Sequence, residues 1–297
     1  MSDIENNNGF HRVVITGMGA VSPAGFGVDA LWSKVAAGES CLTLLPEEDR
    51  EKLNVNVVGR IPGYDPLEAG FTKKESRRFA PFVQYAMLAS DEAMAQAGIE
   101  MEQEDENRFA CVFGSGIGGM EIFERESVVL HERGAKRVSP LFIPTMISNM
   151  AAGNLAIRYG LKGDCLNIVT ACATGSHCVG EAYRLIRFGL ADAALAGGTE
   201  EGTCNMSLAG FGNLGAITKS DDPEKAALPF DARRSGFVAG EGAGALVLES
   251  LEHAQARGAN IIAEITGFGS TGDAYHMTAP EPSGEDDVRA MRQALAE

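Results

Sequence analysis

The 297-residue chain is 45% hydrophobic, enough to bury a core without disulfide or metal staples, which excludes disorder as its main state. Its 25 basic against 41 acidic side chains leave a net charge of −16, which excludes broad binding to a phosphate backbone. No apolar run reaches the ~18–20 residues that span a bilayer, and Met1 to Gly9 lacks a signal-peptide profile, so the chain reads as cytoplasmic, without membrane or nucleic-acid partner.

In chain order, Arg12 to Thr16 reads as a buried strand broken at Gly17-Met18-Gly19. Val28, Leu31, Trp32 and Val35 then mark one face of a helix closed by Gly38. Residues 82–97 form a second helix, with Phe82, Tyr85, Ala86, Ala89 and Ala93 inward and Gly98 as the stop. Phe109 to Phe113 is a strand ending in a glycine cluster. Pro144 suits the first turn of a helix running to Tyr159 and ended by Gly160. Leu166 to Val169 is a strand, followed by a helix to Phe188 with Gly189 as its stop. Ala193 to Ala196 and Ala245 to Leu248 are further strands, and Ser250 caps a short helix before Gly258. Lys219 to Arg234 is the most loop-like stretch. Strands and helices alternate, which predicts an α/β class with a largely parallel, buried sheet. Ile15-Thr16-Gly17-Met18-Gly19 is echoed by Ile265-Thr266-Gly267-Phe268-Gly269; either glycine-rich chance or a second structural repeat opening near residue 260 explains it.

Six cysteines, at 41, 111, 165, 172, 178 and 204, form no C-x-x-C pair, and the five histidines sit at unrelated spacings. That pattern argues against a zinc site or a disulfide framework. Cys172, in Val169-Thr170-Ala171-Cys172-Ala173-Thr174-Gly175, sits where a strand hands over to a helix. There the first helical N–H groups favour a thiolate; the alternative is a small buried hydrophobe. Gly175 and Gly180 would admit another segment closely. Gly114-Ser115-Gly116-Ile117-Gly118-Gly119 matches G-x-G-x-x-G but lacks the second strand and acidic residue of a dinucleotide site, so it reads as a turn lining a cavity. No G-x-S-x-G elbow is present. Lys73, Lys74, Arg77 and Arg78, with Arg133, Lys136 and Arg137, form two basic clusters that suit either an anionic partner or a solvated face. His177 follows Cys172 by five residues, about 140° round a helix and out of reach of the thiol; His276 is the other candidate imidazole.

These motifs together resemble those of the β-ketoacyl-acyl-carrier-protein synthases, the elongating condensing enzymes of fatty-acid synthesis, subtype II. The resemblance covers about residues 10–297. It rests on Arg12 to Gly19, Gly114 to Gly119, Thr170-Ala171-Cys172, Pro229-Phe230-Asp231 leading to Gly236 to Gly244, and Asp273 to Thr278. It implies a thiolase-like layered αβαβα fold of two related halves, with the N-terminal half at 10–258 complete and the C-terminal half, opening at 259–297, truncated. It makes Cys172 the acyl-accepting nucleophile. Ile117, Gly202, Ser207 and Phe211 would line an acyl pocket, with Phe142 and Ile143 reaching in from the partner of a homodimer. Lys74, Arg77, Arg78, Lys136 and Arg137 would meet an acyl-carrier protein. No metal or cofactor is implied.

The family's two catalytic histidines lie in N-A-H-G-T and a later G-H segment, with a lysine between them, and none of these motifs occurs here. Residues 1–297 are therefore expected to lack condensation activity on their own. A ketosynthase of a type II polyketide system and a non-catalytic chain-length partner subunit are the alternatives; an intact Cys172 argues against the latter.

Overall fold

The computed structural model describes residues 9–297; the stretch Met1 to Gly9 lies, apart from Gly9, outside the described residues. The chain opens with β1 (Val13–Ser22), β2 (Gly25–Phe26), α1 (Val28–Ala37), β3 (Thr43–Leu44), α2 (Glu47–Leu53), β4 (Val57–Gly59) and α3 (Glu75–Arg78). The central stretch gives α4 (Pro81–Ala97), β5 (Phe109–Gly114), α5 (Met120–Arg133), α6 (Phe142–Met146), α7 (Met150–Tyr159) and β6 (Cys165–Leu166). Then come α8 (Thr174–Arg187), β7 (Ala193–Glu201), α9 (Asn205–Asn213), β8 (Ala239–Ser250), α10 (Leu251–Ala256), β9 (Ala263–Ile265) and α11 (Glu285–Ala296).

The main sheet runs β2-β1-β8-β7-β5-β6. It is mixed, not largely parallel: β5 pairs in parallel with β6 and β7, but β8 lies antiparallel to both β7 and β1. The physical reason is that both faces are covered. Phe109, Cys111 and Phe113 pack with α4 and α7 on one side, while Ala110 and Val112 pack with α8 on the other. A strand buried on both faces is apolar throughout whichever way it runs.

Nor does the first strand break at its glycines. β1 continues to Ser22, with a register shift between Ile15 and Gly17. Gly17 and Gly19 serve close approach instead: a Cβ there would lie 2.0 Å from the Ala93 carbonyl oxygen and 1.8 Å from that of Ala89, so α4 lies directly on the strand. The same arrangement recurs at the sequence echo, where a Cβ on Gly267 or Gly269 would lie 2.0 Å from the Ala294 oxygen or 1.9 Å from the Ala290 oxygen, on α11.

The helix expected from Pro144 to Tyr159 is two helices. The Gly119 N–H donates to the Met146 carbonyl at 2.8 Å, and Ser148 Oγ accepts from Asn167 Nδ2 at 2.8 Å. These partners stand where the helix ladder would have run. The strand expected over Leu166 to Val169 is shorter, Cys165–Leu166. Helix α1 forms and stops at Gly38, but its apolar stripe is open: Trp32 is 66% exposed, and Val28 and Leu31 line a cavity.

At the C-terminal end of the central strand β8, the fully buried Glu249 accepts hydrogen bonds from Thr16 Oγ1, from Arg257 Nε (2.8 Å) and Nη2 (2.5 Å), and from His253 Nδ1 (2.6 Å). Burial would push Glu249 up, but the bonds from Arg257, His253 and Thr16 outweigh it and hold the carboxyl down at about 2. His253 is raised by its bond to Glu249 and its contact with Glu104. This cluster ties α10 to β1 and β8. No helix among the described residues is long and apolar enough to cross a membrane.

Candidate active site around Cys172

The nucleophile candidate stands on a tight elbow. After β6 the chain turns through Ala171, whose φ is +52°, a left-handed conformation that non-glycine residues adopt at a cost of ~1–3 kcal/mol. A single 3-10 turn, Ala171–Ala173, then leads into α8. Thr170 N–H donates to Thr174 Oγ1 at 2.9 Å, closing the elbow from below. Cys172 is thereby exposed just ahead of the helix N-terminus, facing a cavity of about 1590 Å³.

Three glycines bring that helix end down onto the sheet. A Cβ on Gly114 would meet Thr174 Cγ2 at 2.4 Å and Cys178 Sγ at 2.7 Å; one on Gly198 would meet Gly175 Cα at 2.8 Å. The elbow therefore sits against the carboxyl ends of β5 and β7. Gly180 leaves room for the Phe268 ring, which would lie 2.3 Å from a Cβ there, so Gly175 and Gly180 both admit a neighbouring segment.

The glycine-rich loop after β5 lines the same cavity as Cys172 and is held by a residue that sequence reading missed. Glu200, near the end of β7, accepts from Ser115 Oγ (2.9 Å), Gly116 N–H (2.8 Å) and Ile117 N–H (3.2 Å). Ser115 Oγ in turn accepts from Gly118 N–H at 2.8 Å. Burial raises Glu200 above the ordinary carboxylate range, against the pull of those donors. The N–H groups that a phosphate would need in a G-x-G-x-x-G site already donate to this carboxylate. The loop is a cavity wall.

Among the sequence-derived pocket residues, Ile117, Gly202 and Phe211 line the cavity together with Cys172. Ser207, also expected there, does not line the cavity: it is buried within α9 and accepts from the Cys204 thiol at 3.2 Å. Phe142 packs on Phe123 with ring centroids 6.3 Å apart, and Ile143 is 54% exposed; neither lines this cavity. Lys74, Arg77, Arg78, Lys136 and Arg137 are all exposed, and none forms a salt bridge among the described residues. His276 Nδ1 accepts from the N–H groups of Thr278 and Ala279, both at 3.1 Å. The ring of His177 is bonded to Thr170 Oγ1 and Ser270 Oγ rather than to the thiol.

The other thiols differ from Cys172 in setting. Burial raises Cys178 and Cys204. Cys111 is raised by its bond to Cys165 and by burial, and the same bond lowers Cys165 to about 7. Cys165 is exposed, and is the competitor for any thiol reagent.

A second cavity, about 740 Å³, lies between α5 and the ends of β7 and β8, lined by Arg60, Tyr85, Glu121, Glu124, Glu201 and Glu241. Glu201 is 8% exposed, its Oε2 has no partner, and burial together with the charges of Glu121, Glu241 and Glu200 pushes it up to about 8. Burial and the neighbouring carboxylates thus favour its protonated form.

Residues 11–254 match the family model described as Beta-ketoacyl synthase, N-terminal domain. The chain is 47% identical over 284 residues to 3-oxoacyl-[acyl-carrier-protein] synthase 2 of Staphylococcus aureus (strain COL), covering 96% of this chain and 68% of that protein. To the synthase 2 of Rhizobium meliloti (strain 1021) it is 46% identical over 293 residues, covering 96% and 70%. A β-ketoacyl synthase from Burkholderia phymatum STM815 superposes with a TM-score of 0.87 at 35% identity, covering 96% of this chain and 70% of that one. A type II polyketide ketosynthase, solved in complex with its acyl-carrier protein, superposes with a TM-score of 0.86 at 32% identity, covering 97% and 70%.

Proposed function

This chain belongs to the β-ketoacyl synthase family, with that family's thiolase-like fold, and on that footing we propose that it carries the acyl-accepting half of a condensing reaction in fatty-acid elongation. The observation that carries this reading is Cys172, held on a strained elbow at a helix N-terminus and opening onto a cavity walled by the Glu200-bound loop. In the reaction, the Cys172 thiolate attacks the carbonyl of an acyl-carrier thioester. The carrier thiol leaves, and the acyl chain stays on the enzyme. In this reading the Cys172 backbone N–H, in the turn ahead of α8, donates to the oxyanion. Malonyl-carrier protein then loses CO₂, and its carbanion attacks the acyl-enzyme carbonyl. A carbon–carbon bond forms, Cys172 is released, and 3-oxoacyl-carrier protein departs.

Ile117, Gly202, Ser207 and Phe211 take the acyl chain in this reading, and Phe142 and Ile143 complete the pocket of a partner subunit in a homodimer. Lys74, Arg77, Arg78, Lys136 and Arg137 receive the acidic carrier; their exposure and their lack of salt bridges among the described residues support it. Residues 10–258 form the first thiolase-like half, and 259–297 open the second; the shared glycine-on-helix packing of β1 with α4 and of the Gly267–Gly269 segment with α11 supports that division. The higher identity to the synthase 2 relatives favours fatty-acid elongation over polyketide synthesis. A cytoplasmic setting is part of the same proposal.

The test is transfer. Acyl-carrier protein loaded with a radiolabelled medium-chain thioester is mixed with the chain, and the acylated peptide is mapped by mass spectrometry. Label on the Cys172 peptide, absent in Cys172→Ala, is expected. Label on Cys165, or none on Cys172, overturns the assignment.

A further inference from the structure

We propose that His177 is a positioning residue for Cys172, tying the nucleophile's elbow to the Phe268–Ser270 segment so that the thiol is presented only while that segment is seated. The proposal rests on Cys172 being the acyl acceptor.

The geometry is a three-point clasp. His177 Nδ1 lies 2.7 Å from Thr170 Oγ1 and 3.2 Å from the Ala173 carbonyl oxygen. A carbonyl can only accept, so the tautomer with the proton on Nδ1 and with Nε2 accepting from the Ser270 hydroxyl, 2.8 Å away, is the neutral form that satisfies all three contacts. Thr170 and Ala173 flank Ala171 and Cys172. The imidazole thus grips both ends of the strained turn, from the first turns of the helix that the turn leads into.

The far arm is seated by the same helix face. His177, Gly180 and Arg184 stand at i, i+3 and i+7 on α8, one stripe of a helix. The His177 ring meets Phe268 edge-on with centroids 5.9 Å apart, Gly180 clears space for that ring, and the Arg184 guanidinium lies 5.1 Å from its centroid. Ser270, two residues on, reaches Nε2. A displacement of the 268–270 segment therefore passes through one imidazole to the backbone on either side of the nucleophile. A left-handed Ala171 supplies the need for such a grip, because a strained turn persists only when its surroundings over-determine it.

The experiment measures the rate of Cys172 alkylation by iodoacetamide at pH 7.5, mapped by mass spectrometry, with far-UV circular dichroism melting of each variant. His177→Ala is expected to slow Cys172 alkylation ~10-fold. His177→Asn keeps an amide near the Nδ1 position and is expected to recover the rate to within ~3-fold of wild type. His177→Gln, which reaches toward Ser270 but not Thr170, is not. Ser270→Ala, on a half-buried segment outside α8, is expected to cost ~3-fold in the wild-type background and nothing further in His177→Ala, because contacts in one chain of bonds are not additive. A His177→Ala protein whose Cys172 reacts at the wild-type rate overturns the proposal. So does a Ser270→Ala effect that persists undiminished without His177. Faster alkylation at Cys165 than at Cys172 in the wild-type chain would instead bring down the nucleophile assignment, and this proposal with it.

Discussion

The seam between α8 and the sheet makes a quantitative prediction about Gly198. Its φ is not in the left-handed region, so Gly198→Ala introduces no backbone strain, and its whole effect is one contact. The new methyl would stand 2.8 Å from Gly175 Cα and 3.4 Å from Gly175 N, where ordinary contact begins near 3.4 Å. The first turn of α8 must therefore recede by at least ~0.6 Å. It cannot tilt freely, because Thr174 and Cys178 already fill the space over Gly114. The movement is passed to the Ala171–Ala173 turn, three residues away. Overpacking of this kind costs ~1–3 kcal/mol, and a misplacement of ~1 Å at a reacting group costs ~10²-fold in rate. We therefore expect about tenfold slower acyl transfer to Cys172, with a loss of ~1–2 kcal/mol in urea unfolding. Gly153→Ala is the control: it lies within α7 with nothing within 4 Å of a Cβ, and should gain ~0.5–1 kcal/mol without changing transfer. Wild-type transfer by a stably folded Gly198→Ala protein would refute the idea that this close approach sets the nucleophile's position.

Three more outcomes are expected. Glu249→Gln should cost ~3 kcal/mol near pH 6, since a carboxyl lowered from 4.5 to about 2 contributes that much above pH 4.5 and loses it as pH falls through 2; unfolding curves at pH 3, 6 and 8 check it, and His253, raised from 6.5, adds stability below pH 6.5 that fades as pH rises through its folded value. Glu201→Gln should flatten the pH dependence on the other side: the wild-type carboxyl, raised to about 8, makes the protein lose stability from pH 4.5 up to pH 8, by as much as ~4 kcal/mol, and the amide removes that slope. Charge reversal at Arg77 and Arg78 should weaken acyl-carrier-protein binding strongly at low salt and little at high salt; equal affinity across a salt series, read by fluorescence anisotropy, would reject the basic-patch assignment.

What could be read from the sequence was what local chemistry decides. Gly38, Gly98, Gly160, Gly189 and Gly258 were all expected as helix stops, and each has a φ between 64° and 72°. A left-handed cap is fixed by a few neighbouring residues. Ser250 caps α10 for the same reason, its Oγ accepting from His253 N–H at 3.2 Å. The misses depend on distant partners. Nothing near Met146 says that the Gly119 N–H will take its carbonyl, so the break between α6 and α7 was invisible. Strand direction was invisible because helices cover both faces of the sheet. Gly17 and Gly19 resembled a turn because glycine serves turns and close approach alike, and only the position of Ala89 and Ala93 tells which.

The candidate site divides along the same line. The place of Cys172 between a strand and a helix could be read because that is a local pattern. Glu200 and His177 could not, because each acts on a backbone segment far away in sequence or folded back upon itself: Glu200 on a loop 83 to 85 residues earlier, His177 on Thr170 and on Ser270, 93 residues later. Yet these two residues explain why the pattern produces a site. The glycine seam sets the height of the elbow over the sheet, Glu200 fixes the wall opposite, and His177 holds the turn itself. The constraints come from β5, β7 and α8: Gly198 and Glu200 lie on β7, Gly175 and His177 on α8, and Gly114 ends β5. In the proposed reaction, a strained turn held by the glycine seam and by His177 would set the thiol's position before substrate arrives, so that binding energy need not be spent on ordering it.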